Sequence, residues 1–202
     1  MASRLPATRE KLARCHELLE LLIEKERHPA KFDALVDATL GELRSITWVL
    51  QREIQERFPP LMSWYARKQV DMRSSRNNGL VWLRDARNVS TKERPTTVGT
   101  ATHIRSIYID RLPPKTGFAI TGRGEAVWVR QDAEGREVRT HATEFDSEVR
   151  SRHFFVDPKP PTPFRIAGAD LAHRDVLTVL KAYEAYLLAL VLEAEHAAEA
   201  ST

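Results

Sequence analysis

A single cysteine, Cys15, stands in the 202 residues, so no disulfide can form within the chain and no cysteine-cluster metal site can be built. An apolar stretch long enough for a bilayer, about 20 residues, is also missing. The longest charge-free apolar run near the C-terminus, Ala185 to Leu192, spans eight, and the N-terminal "MASRLPATREKLARCHELLELLIEKE" carries charges inside its apolar positions. No internal repeat is visible, and charge of one sign is scarce overall, with a formal balance of +3. These absences make a soluble protein of a reducing, cytoplasmic compartment the expectation. The small total charge names no partner, because local patches rather than totals govern encounters with anionic surfaces.

What is present is globular: 42% hydrophobic and 29% charged residues in a chain long enough to bury a sizeable core. From about Ala7 to Arg27, Leu12, Cys15, Leu19 and Leu22 recur at helical spacing, and His28-Pro29 ends the pattern. A longer stripe runs through Phe32, Val36, Leu40, Leu43, Ile46, Leu50 and Ile54 to the stop at Phe58-Pro59-Pro60. A third helix carries Leu61, Trp64, Tyr65, Lys68 and Met72, and fails at "SSRNNG", Ser74 to Gly79. A short helix, Leu80 to Asn88, follows.

Between Thr96 and Asp157 the period changes to two. "HIRSIYID", "GFAIT" and "EVRSRHFFV" are strand candidates, and "VWVRQDAEGREVRTH" is a hairpin with a four-residue Asp132–Gly135 loop that places Trp128, Arg130 and Arg139 on one face. The prolines of Asp157 to Pro163 dictate an extended connector. Asp170 is the expected N-cap of a final, broadly apolar helix through Leu177, Leu180, Tyr183, Leu187 and Leu190. The expected fold is α+β: an antiparallel bundle of four to five helices with a β-rich insertion before the last. Residues 1–95 give the N-terminal part of the bundle, 96–163 the insertion and connector, and 164–202 the closing helix. Trp48, Trp64, Trp82 and Trp128 are assigned to the core and its edges.

Charge concentrates in one place. From Arg67 to Arg94 there are eight basic and three acidic residues, an excess of five positive charges where the whole chain has three. Arg84, Arg87 and Asn88 share a helical face near the expected helix end, with Lys92 beyond, so guanidinium forks and an amide can converge on a phosphate or carboxylate. The alternative is purely structural: arginine near a helix C-terminus stabilises the free carbonyls, and asparagine there can cap.

The long helix ending near "FPPLMSWY", the following "QVDM" and then "LRDARN" resemble the helical HEPN superfamily (higher eukaryotes and prokaryotes nucleotide-binding), over about Phe32 to Asn88. Its signature is Arg, a polar residue and, a few positions on, His. The resemblance implies RNA or a nucleotide as ligand, and a site shared by two subunits. In active members that site cuts RNA without metal, with Arg steadying phosphoryl charge and His moving protons. Arg87 and Asn88 match the first two positions. Four, five or six intervening residues then lead to Lys92, Glu93 or Arg94, never His. Cleavage at a 2′-hydroxyl needs a group that exchanges protons near neutral pH, which imidazole does and an ordinary lysine does not.

The expectation is therefore a HEPN-like protein that binds RNA, a nucleotide or a protein partner through Arg84, Arg87, Asn88 and Lys92 without cleaving, as a homodimer or with another chain. The competing readings are a metal-independent endoribonuclease of a defence or toxin-like system, and an interaction module acting through the β insertion. No cofactor or metal is expected. His103, His141 and His153, with Asp110 or Glu144, follow no metal-ligand spacing. "TGRGEA", Thr121 to Ala126, lacks the lysine and helix of a phosphate-binding loop, and no serine sits in a nucleophile elbow.

Overall fold

In the computed structural model, residues 3–26, 29–92, 97–104, 116–121, 126–141, 149–157, 159–171 and 175–200 are described. Five helices run α1 (Pro6–Glu24), α2 (Pro29–Arg57), α3 (Met62–Met72), α4 (Asn78–Lys92) and α5 (Val176–Glu199). Among the described residues, seven strands lie between α4 and α5: β1 (Thr97–Ile104), β2 (Gly117–Ile120), β3 (Ala126–Gln131), β4 (Glu137–His141), β5 (Val149–Asp157), β6 (Arg165–Ile166) and β7 (Ala169–Asp170). The fold is thus α+β, with the strand-rich segment preceding the final helix. The chain divides into two compact units, one of residues Met1–Thr97 and Phe155–Thr202 and the other of Val98–Phe154.

The helical unit is organised by α2. Its buried positions, Phe32, Val36, Leu40, Leu43, Ile46, Leu50 and Ile54, form one stripe at intervals of three and four, and each is essentially inaccessible. At 1.5 Å per residue the 29-residue helix is about 44 Å long, enough to back α1, α3, α4 and α5 at once. Each such side chain contributes about 1.5–3 kcal/mol by leaving water. Trp48 lies two residues from both Ile46 and Leu50, on the opposite side of the helix, and is 77% exposed rather than part of the core.

Helix α1 lies antiparallel to α5: Arg9 Nε donates to Glu195 at 3.1 and 3.2 Å, and His16 Nδ1 lies 3.0 Å from Glu184. It has no side-chain cap of its own. Its first turn is capped instead from α2, where the buried Glu53 accepts from the Ala7 and Thr8 amides (3.1 and 3.0 Å) and from Thr8 Oγ1 (2.7 Å). A carboxylate at that end also complements the helix dipole.

The corner between α3 and α4 is clipped to the segment that leads into α5. Asn78 Nδ2 donates to Pro163 O (2.7 Å) and its Oδ1 accepts from Arg165 N (2.7 Å). Asn77 Oδ1 accepts from Ala167 N (2.7 Å), Gly168 N donates to Arg76 O (3.0 Å), and Trp82 Nε1 donates to Lys159 O (3.2 Å). Phe164 wedges beneath, edge-on to Trp82 at 5.6 Å and against Gly79. Residues 159–163 of the connector form neither helix nor strand, in keeping with their prolines. Helix α5 begins later than its sequence suggests: Asp170 pairs in β7, and the cap is Asp175, whose side chain accepts from Thr178 N at 3.0 Å.

In the second unit, β2-β3-β4 form an antiparallel three-stranded sheet, and β1 pairs with β5. Gln131 pairs with Glu137, so the hairpin loop holds five residues, with Gly135 at φ 76°. That register sets Arg139 opposite Val129, on the face away from Trp128 and Arg130. One residue more in the loop reverses the face, so the expected Trp128–Arg139 surface does not form. Trp128 is buried and edge-on to Phe118 at 5.1 Å.

Candidate anion-binding site

The α4 helix runs four residues past Asn88, to Lys92. No glycine or proline follows Asn88 before Pro95, so Arg87 and Asn88 lie within the helix and are not its cap. Arg84, Asn88 and Lys92 fall four residues apart along it, and Asn88 is exposed. The side chains of Arg87, Lys92, His103 and His141 lie outside the described residues, as do Asp110, Glu144 and residues 122–125 of the "TGRGEA" stretch. Of the three strand histidines, His153 is described, and it is buried.

Arg84 is where the sequence candidates meet the rest of the bundle. It lines a half-enclosed cavity of about 80 Å³ walled by α2, α3, α4 and α5. Arg44 enters from α2 and Arg73 from the C-cap of α3, so three arginines line one recess. No carboxylate is among its lining residues. Arg84 Nε donates to Asp85 at 2.8 Å, which offsets its charge. Arg44 Nη1 donates to Thr47 Oγ1 (2.6 Å) but has no ion pair among the described residues, and the exposed Arg73 guanidinium has no partner there. Arg44 and Arg73 thus bring positive charge to the recess, while the Asp71 and Glu193 carboxylates lie close enough to act on the Tyr186 phenol.

Phenols supply the rest of the wall. Tyr65 is committed, its hydroxyl donating to Thr47 O at 2.7 Å. The hydroxyls of Tyr183 and Tyr186 have no hydrogen-bond partner among the described residues. Burial pushes both phenols up to about 12, in Tyr183 only partly opposed by Arg44, so each stays protonated and available as a donor. Gln69 completes the polar lining, and its Nε2 donates to Gln51 Oε1 at 3.2 Å.

Beside the recess, and sharing Arg73 and Val81 with it, lies a shallow hollow of about 440 Å³ bordered by Ser74, Asn78, Trp82 and Lys159. Ser74 Oγ is buried there without a partner. No protein family, curated protein or solved structure matches this chain. The chemistry of the site therefore rests on its own geometry: a basic, phenol-lined recess that opens beside a polar and aromatic shelf. Two arms of the basic run are already taken, since Lys68 pairs with Glu193 as Arg84 does with Asp85.

Arg44, Thr47, Tyr183 and Tyr186, which all line this recess, were not among the sequence candidates. Arg44, Thr47 and Gln51 recur at three and four along α2 and form a polar strip flanking the apolar one, which is a legible sign of a polar cavity. Tyr183 and Tyr186 carry no such sign, because their spacing equals that of core residues. Among the described residues no group of three or more metal-ligating side chains gathers, and no helix is long and apolar enough to cross a membrane.

Proposed function

We propose that this is a HEPN-like helical protein of the cytoplasm that binds an anionic ligand, RNA or a nucleotide, without cleaving it. Binding is centred on Arg84 and extends along α4 through Arg87, Asn88 and Lys92, in a homodimer or beside a partner chain. One observation supports the reading: arginines from α2, α4 and the C-cap of α3 line a single recess whose described lining residues include no carboxylate. Guanidinium forks form charge-assisted, geometrically specific hydrogen bonds to phosphate. Binding rather than cleavage follows from the residues after Arg87, where Lys92, Glu93 and Arg94 occupy the positions at which a proton-shuttling histidine is required.

The test is fluorescence anisotropy with a short labelled RNA and with a nucleotide across a salt series, followed by electrophoresis of the RNA with and without chelator. Affinity is expected to fall with salt, the slope to flatten in Arg84→Ala and Arg73→Ala, and the RNA to stay intact. Failure to bind either ligand overturns the reading. Chelator-resistant cutting that disappears in Arg87→Ala overturns its non-cleaving part.

A further inference from the structure

The size and charge of the recess select among phosphate groups. We propose that it takes a terminal phosphomonoester, the end of an RNA strand or the phosphate of a mononucleotide, and excludes the internal phosphodiester of a polynucleotide. This refinement rests on the anion-binding reading above.

The first argument is volume. About 80 Å³ compares with the roughly 10–15 Å³ that one water needs and the roughly 300–1,000 Å³ of a site that swallows a whole small molecule. The recess therefore receives one tetrahedral oxyanion and leaves its carrier outside. An internal phosphodiester carries a nucleoside on each side, and a recess of this volume has room for neither. A terminal phosphate has a single ester arm. That arm has a place to go, the adjoining hollow, where Trp82 and Pro161 give apolar surface and Asp85 is a carboxylate able to accept from a sugar hydroxyl.

The second argument is charge and donor count. A phosphomonoester carries about −1.5 to −2 at neutral pH and presents three strong acceptor oxygens, whereas a diester carries one negative charge and two such oxygens. Arg44 and Arg73 bring positive charge to the recess, of which Asp71 beside Tyr186 offsets part, and the more highly charged monoester gains more from what remains. Their forks, joined by the Tyr183 and Tyr186 hydroxyls, supply enough donors for three oxygens.

The decisive comparison is a ten-nucleotide RNA prepared in three forms: 5′-phosphorylated, 3′-phosphorylated, and with hydroxyls at both ends. Inorganic phosphate, adenosine 5′-monophosphate and dimethyl phosphate serve as competitors. A phosphorylated end is expected to tighten binding about tenfold, the worth of a charge-assisted hydrogen bond or two. Inorganic phosphate and the mononucleotide should compete for that end, and dimethyl phosphate should not. The 5′ and 3′ forms tell which strand end is read, and competition by the mononucleotide tells whether a free nucleotide suffices. Tyr186→Phe, which removes one half-buried hydroxyl and keeps the ring, should erase most of the preference while leaving the melting temperature near that of the parent. Equal affinity for all three RNAs, or equal competition by dimethyl phosphate, overturns this inference and leaves anion binding intact. Absence of binding to any RNA or to the mononucleotide overturns both.

Discussion

Replacing either of two glycines by alanine should move stability in opposite directions, and the structure fixes both signs. Gly41 lies in the middle of α2, and a Cβ built there meets nothing within 4 Å. The substitution there removes only the entropic cost of glycine in a helix, so Gly41→Ala should stabilise by about 0.5–1 kcal/mol. Gly79, the second residue of α4, is also helical, but its Cβ would stand 2.7 Å from Phe164 Cε1, 2.8 Å from Arg165 O and 3.0 Å from Phe164 Cζ. Neither neighbour gives way easily. Phe164 is 1% exposed and held edge-on to Trp82, and Arg165 is pinned by its amide bond to Asn78 Oδ1. Overpacking of this kind costs about 1–3 kcal/mol, which exceeds the propensity gain of at most about 1 kcal/mol at a helix's first turn. Gly79→Ala should therefore destabilise by about 1–2 kcal/mol. Urea unfolding followed by circular dichroism measures both, provided the slopes agree with that of the parent. A Gly79→Ala protein as stable as the parent would refute the claim that the connector is packed immovably on α4. A destabilised Gly41→Ala would refute the open space beside α2.

Two further predictions concern titration and reactivity. The hydrogen bond from Arg9 holds the Glu195 carboxyl below its ordinary value, with a smaller contribution from Ser3. The stability it contributes is present above the unfolded-state pKa of about 4.3 and is lost as pH falls through the folded value, so the stability-versus-pH curve of Arg9→Ala should be shallower below about pH 4.3 than that of the parent. An unchanged slope would show that the pair is not coupled to folding. Burial pushes the fully inaccessible Cys15 thiol up to about 12, so a thiol reagent at pH 8 should label the native protein far more slowly than the urea-unfolded chain, and equal rates would contradict the α1 packing.

The long helices were legible because a period of 3.6 sustained over many residues has few competing explanations. The end of α4 was not: Val89, Ser90 and Thr91 are weak helix formers, and only the position of Pro95 marks where the helix must stop. Asn77 and Asn78 read as turn formers, and their true use, gripping backbone about ninety residues away, leaves no local trace. Asp170 and Asp175 are equally good caps by composition, and the choice falls to the β6–β7 pairing that consumes the first. For the site, the charge excess led to Arg84, which lines the recess. Yet Arg44 comes from a helix forty residues earlier and Tyr183 from one a hundred residues later, and only packing brings them together.

That separation along the chain has a consequence for when the recess exists. One wall is encoded before residue 85 and the other after residue 182, with the entire strand-rich segment translated between them. A nascent chain still waiting for α5 carries Arg44, Arg73 and Arg84 but nothing to stand opposite them. An anion that spans both walls will hold the last helix down once it arrives, favouring the completed protein over any form in which that helix has lifted away.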